Sequence, residues 1–117
     1  MKVIRIKLSP NAEEVYNHLN KEAPTSKTER MILKAVNQKV ELIKSNPHYG
    51  EPIAKKLFPE QYVQTYGITN LFRVELPAFW RMLYTLTNKE DEAEIIAFIL
   101  DITSHKEYDK KFRYKGR

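Results

Sequence analysis

The chain contains no cysteine among its 117 residues. A disulfide framework, a thiolate nucleophile and a thiolate-held metal are all excluded, and a reducing compartment suits such a composition. Glycine is nearly as scarce, with three residues, Gly50, Gly67 and Gly116. They form none of the glycine-rich loops that cradle nucleotide phosphates, and no Gly-x-Ser-x-Gly elbow marks a serine hydrolase. The histidines, His18, His48 and His105, stand far apart without metal-ligand spacing. No apolar run approaches the roughly 20 residues that span a bilayer. The start, Met1-Lys2-Val3-Ile4-Arg5, alternates charge with apolar side chains and lacks the apolar centre of a secretory signal. These absences point to a soluble cytoplasmic protein with no membrane partner, no metal and no other cofactor.

At this length one domain over residues 1–117 is expected, and a 42% hydrophobic content supplies one core. Twenty Lys and Arg against fifteen Asp and Glu give a net charge of +5. Most of the excess lies at the end, where Lys106, Lys110, Lys111, Arg113, Lys115 and Arg117 face only Glu107 and Asp109. Such a concentration either attracts a polyanion or an acidic partner, or is a solvated basic tail.

Residues 2–8 alternate with period two, Ile4, Ile6 and Leu8 on one face, and read as a strand. Ser9-Pro10 opens a helix, with a capping hydroxyl and a ring pre-shaped for the first turn. Ala12, Val15, Tyr16 and Leu19 form its apolar stripe. Ser26-Lys27-Thr28-Glu29 has capping-box spacing, and a second helix with Ile32, Leu33, Val36, Val40 and Ile43 on one face runs to about Ser45. Residues 47–68 are expected to be a connector with one short turn at Glu60–Tyr66. Three strand-like runs follow near 69–76, 79–86 and 94–102, with a polar turn at Thr87–Glu92 between the last two.

The register of the first pair can be argued. A three-residue loop Pro77-Ala78-Phe79 sets Leu76 against Trp80, Val74 against Met82 and Phe72 against Tyr84, all apolar, and puts Glu75 opposite Arg81. A slip of one residue would mix core with charge. Ile95–Leu100 is apolar on both faces and predicts a covered, central strand. A short helix starts near His105. The predicted architecture is α+β, in the order β-α-α-β-β-β-(α). Its helical hairpin packs on one face of a small curved, mainly antiparallel sheet, leaving the other face free for a site.

Arg73 and Arg81 then fall on that other face of adjacent strands, with Glu75 between them. They are either a cross-strand ion pair that satisfies the sheet, or planar cations placed to fork a phosphate. Ser104-His105-Lys106-Glu107 again has capping-box spacing. It is either an ordinary helix start, or it sets His105 and Lys106 at a helix N-terminus suited to anions and proton transfer. Lys55-Lys56, beside Glu51, either line the opposite wall of a groove or are merely solvated. Tyr62, Tyr66, Tyr108, Phe112 and Tyr114 offer stacking surfaces for single-stranded bases. At helical spacing, Tyr108 and Phe112 equally suit packing.

The ordered set Asn70-Leu71-Phe72-Arg73-Val74-Glu75-Leu76, Trp80-Arg81-Met82-Leu83-Tyr84, Ile99-Leu100-Asp101-Ile102 and His105-Lys106-Glu107-Tyr108 resembles the RelE/ParE toxin superfamily. The resemblance covers the whole chain in topology and Asn70–Phe112 in motif. It implies the toxin of a type II toxin–antitoxin module, with a cognate antitoxin, the ribosome and mRNA as partners. It further implies an endoribonuclease (mRNA interferase) that inhibits translation without metal and leaves a 2′,3′-cyclic phosphate. By position it assigns phosphate binding to Arg81, basic roles to Arg73 and Lys106, proton donation to His105, and base catalysis to Glu51. Tyr108 is the nearest counterpart of a terminal catalytic tyrosine. Lys55, Lys56, Lys110, Lys111 and Arg113 become the RNA-binding cations. Glu75 stands where the family has a second basic residue. A ParE-like inhibitor, or an inactive relative acting through protein binding, is the alternative.

Overall fold

The computed structural model describes residues 3–88 and 94–113, except for the side chain of Arg113. Its elements are β1 (Val3–Leu8), α1 (Pro10–Glu22), α2 (Lys27–Ser45), β2 (Glu51–Pro52), a 3-10 turn (Lys55–Leu57), α3 (Glu60–Tyr66), β3 (Phe72–Glu75), β4 (Arg81–Asn88), β5 (Glu94–Thr103) and α4 (His105–Arg113). One five-stranded sheet is ordered β1-β5-β4-β3-β2, with β1 parallel to β5 and the remaining pairs antiparallel. The α+β class and the mixed, mainly antiparallel sheet are those expected.

Local chemistry sets the boundaries. The Ser9 hydroxyl accepts from the Ala12 amide while donating to the Leu100 carbonyl at 2.6 Å, so one buried side chain both caps α1 and ties it to β5. Ser26 caps α2, its hydroxyl accepting from the Glu29 amide and donating to the Glu29 carboxylate, while its own N–H goes to the Glu22 carbonyl rather than closing a full capping box. The apolar stripes of α1 and α2 meet the sheet face of Phe72, Val74, Met82, Tyr84, Ala97 and Ile99, which forms the main core. The β3–β4 register is Phe72 with Tyr84, Val74 with Met82 and Glu75 with Arg81, as the apolar pattern requires. Strand β5 is interior and covered on both faces, although β4 holds the middle of the sheet. Thr87 and Asn88 belong to β4 rather than to a turn. The rest of the expected polar turn, and Tyr114, Lys115 and Arg117, lie outside the described residues.

Two expectations need correction. The connector contains a strand, β2, which pairs Glu51 with Arg73. Two residues bounded by proline carry no period for a sequence reading to find. The second sheet face is also not left free. Phe58, Tyr62, Ile68 and Leu71 join Leu83 and Leu100 in a second small core, with Tyr108 and Phe112 of α4 packed on it. Leu83 of β4 together with Phe98 and Leu100 of β5 supplies the apolar surface there that requires cover.

Gly50 fixes where β2 docks. Its N–H donates to the Tyr84 hydroxyl at 2.9 Å, and that hydroxyl donates to the Pro47 carbonyl at 2.7 Å. A Cβ at Gly50 would lie 2.9 Å from Tyr84 Cε1, 3.0 Å from Phe72 Cβ and 3.1 Å from the Arg73 carbonyl oxygen. Gly50→Ala should therefore cost about 1–3 kcal/mol by overpacking, read as a lowered urea midpoint at unchanged slope.

Candidate functional site

Arg73 on β3 and Arg81 on β4 project from the face of the second core, and α4 brings Tyr108 against both. The Arg73 guanidinium donates from Nη1 to the Tyr108 hydroxyl at 3.0 Å and from Nη2 to Glu51 Oε1 at 2.7 Å. The centres of the Arg73 and Arg81 guanidinium groups lie 5.9 and 5.4 Å from the Tyr108 ring centroid. One phenol thus bridges two cations, and its ring stacks on Phe112 at 4.5 Å. The Tyr108 bond, and then that to Glu51, raise the Arg73 pKa further against its desolvation, so its charge is permanent.

Arg81 is held differently. Its Nη1 donates to the Phe79 carbonyl at 2.7 Å, and Glu75 stands 3.9 Å from Nε. The side chain is only 14% exposed, and that of Arg73 24%. The Nε atoms of both are buried without a hydrogen-bond acceptor among the described residues. Burying a guanidinium is costly unless acceptors surround it, and each of these two is only partly satisfied by its neighbouring carboxylate and carbonyl or hydroxyl oxygens.

α4 begins directly after β5. Ser104 Oγ accepts weakly from the Glu107 amide at 3.4 Å, so the expected cap forms. His105 and Tyr108, three residues apart, present one face of the helix toward the β3–β4 hairpin. His105 Nε2 lies 3.2 Å from Asp109, and its ring is 6.0 Å from that of Phe79. Lys106 and Lys110 are exposed on α4, and Lys55 and Lys56 on the 3-10 turn, and the hydrogen bonds and ion pairs of Arg73 and Arg81 run to other residues. Arg113 closes the helix, and its side chain lies outside the described residues. Among the described residues no three His, Asp or Glu gather to hold a metal ion, and no helix is long and apolar enough to cross a membrane.

Lys111 turns inward. Its Nζ lies 3.1 Å from Asp101 and 5.6 Å from the Tyr62 ring centroid. Tyr62 donates a hydrogen bond to the same carboxylate. Burial first, and Asp101 second, push the Tyr62 phenol far above its ordinary pKa. At 2% exposure, Tyr62 offers no stacking face to a base, contrary to expectation. Tyr66 packs edge-on against Phe98. The Asp101–Lys111–Tyr62 cluster was not foreseen, although one signal existed. A carboxylate amid Ile99-Leu100-Asp101-Ile102 must find a partner once buried.

No protein-family model matches the chain, and a comparison with curated proteins finds no match. Among solved structures, the chain is similar to the E. coli toxin RelE, solved as a double arginine-to-alanine mutant in the free state. The match spans 98% of each chain at a TM-score of 0.52 and 10% identity. The likeness is one of fold. It agrees with the RelE-like α+β architecture expected from the sequence.

Proposed function

We propose that this protein is a toxin of a type II toxin–antitoxin module, acting as a metal-independent endoribonuclease on mRNA in the ribosome. The observation that carries the reading is the Arg73–Tyr108–Arg81 cluster, with Glu51 at its edge, on a RelE-like fold. Cleavage by the ribose 2′-hydroxyl needs a base, cations for the charge that builds on phosphorus, and an acid for the leaving oxygen. Glu51, exposed and fixed by Arg73, accepts the 2′-proton. The 2′-oxygen bonds to phosphorus as the bond from phosphorus to the 5′-oxygen breaks. Arg73 and Arg81 neutralise the phosphoryl oxygens, and a small rotation of either guanidinium gives its Nε–H an acceptor. Tyr108 receives its hydrogen bond on oxygen and so keeps its own proton available for the departing 5′-oxygen. The products are a 2′,3′-cyclic phosphate and a 5′-hydroxyl.

His105 stands at the rim as a second proton donor. Lys55, Lys56, Lys106 and Lys110 supply exposed charge for flanking phosphates, a contribution that weakens with salt. The partners under this reading are the ribosome, mRNA and a cognate antitoxin that covers the arginines. Purified protein added to translating ribosomes should create new mRNA ends bearing cyclic phosphate, mapped by primer extension and end chemistry. Intact mRNA in that assay would contradict the reading.

A second reading draws on the carboxylates. Glu51 and Glu75 each stand beside one arginine and reduce its pull on phosphate, which favours a ParE-like inhibitor or inactive relative that binds a protein target. Inhibition of DNA gyrase with intact mRNA would select it.

A further inference from the structure

The turn between β3 and β4 is built against the preferences of its residues. Ala78 has φ 58° and ψ 31°, and Phe79 has φ 62°, so two successive side chains occupy the left-handed region that favours glycine. Trp80 N–H closes the turn on the Pro77 carbonyl at 3.2 Å, and Leu76 N–H donates to the Trp80 carbonyl at 2.9 Å. Phe79 is also 73% exposed, more than any other large apolar side chain described. Its ring contributes little to either core, and its backbone would be more relaxed as glycine. A residue unfavourable on both counts calls for a role outside the folded chain.

Its surroundings indicate which role. The Phe79 carbonyl accepts from Arg81 Nη1 at 2.7 Å, so the cation is tied to the backbone that carries the ring. The His105 ring stands 6.0 Å away at a tilt of 56°. Two exposed aromatic rings therefore form a ledge beside a guanidinium of the proposed phosphate seat. We infer that Phe79, with His105 beside it, is a nucleobase-binding subsite, stacking one unpaired base next to the phosphate held by Arg81. Stacking on an aromatic ring tolerates any base, because every base has a π-face. This rests on the RNA reading above. A base fits better than an apolar peptide anchor because the ledge is flanked by a cation that can hold the base's own phosphate.

The test compares a short single-stranded 2′-O-methyl oligoribonucleotide, which cannot be cleaved, with an abasic oligomer of the same backbone, by fluorescence anisotropy. The wild-type protein should bind the base-bearing oligomer about tenfold more tightly. Phe79→Gly should bring the two affinities together while leaving the melting temperature equal or higher, because the turn is relaxed. Phe79→Trp should preserve the difference and show quenched indole fluorescence relative to the existing Trp80 signal. Equal binding of both oligomers by the wild type, still sensitive to salt and to Arg73→Ala, would overturn the base subsite, leave the phosphate seat standing, and assign Phe79 to a protein partner. A fall in melting temperature in Phe79→Gly with unchanged base preference would assign the ring to folding and overturn it equally. No binding of either oligomer would remove the RNA reading itself.

Discussion

Arg81→Ala should lower the rate of mRNA cleavage on the ribosome about 10²- to 10³-fold, the effect of removing one preorganised donor from a developing oxyanion. Arg81 stands on the middle strand, its guanidinium lies over the Tyr108 ring, and its Nη1 is tied to the Phe79 carbonyl, so the group is fixed before substrate arrives. Arg81→Lys tests whether charge alone suffices. A lysine keeps the positive charge but cannot present a planar fork or hold the carbonyl and a phosphate together, so about tenfold loss or more is expected. Single-turnover cleavage of a ribosome-bound message is the measurement, with circular dichroism to show that both variants fold. Equal rates for Arg81→Ala and the wild type would remove Arg81 from the reaction.

Asp101→Ala should destabilise the fold by about 2–4 kcal/mol, because it strands the Lys111 ammonium and the Tyr62 hydroxyl in a largely buried place. Its consequence reaches the site. Lys111 lies one turn beyond Tyr108 on α4, so its ion pair holds that helix against the sheet and keeps the phenol between the two arginines. Hydrogen exchange should show α4 opening in the variant well below the global unfolding energy, and cleavage should fall with it.

The Tyr62 phenol adds a pH signature. Its pKa is raised in the folded state, so its stabilising effect is complete below the ordinary phenol pKa of about 10 and is lost as pH climbs past it. Burial shifts Tyr84 in the same direction. Tyr62→Phe should therefore flatten the alkaline loss of stability without abolishing it, measured as urea midpoints across that range. An unchanged alkaline slope would place Tyr62 outside the linkage.

How much of this was legible in the sequence follows from where period and charge are strong. The α1 and α2 stripes, their serine caps and the β3–β4 register rest on many side chains that agree, and the structure has them as the pattern requires. The placement of Arg73 and Arg81 on the face away from the helical hairpin follows from that register, since each alternates with residues of the main core. What was hidden depends on contacts between distant segments. Glu51 reaches Arg73 only because a two-residue strand docks through Gly50, and nothing local announces it. Tyr62 and Lys111 converge on Asp101 from two helices, so one looked like a stacking surface and the other like a free cation. Phe79 read as a loop residue because a left-handed backbone at a non-glycine position leaves no mark in the sequence.

The central claim is that Arg73, Arg81 and Tyr108 together seat an RNA phosphate. Nuclear magnetic resonance reads it directly through the Nε–Hε signals of the two arginines, which lack acceptors among the described residues. Titration with a short 2′-deoxy oligonucleotide, which retains the phosphate and cannot react, should shift both signals and the Tyr108 ring together, with one saturation curve. Shifts confined to Lys55, Lys56 and the exposed face of α4, with both arginine signals unmoved, would contradict it.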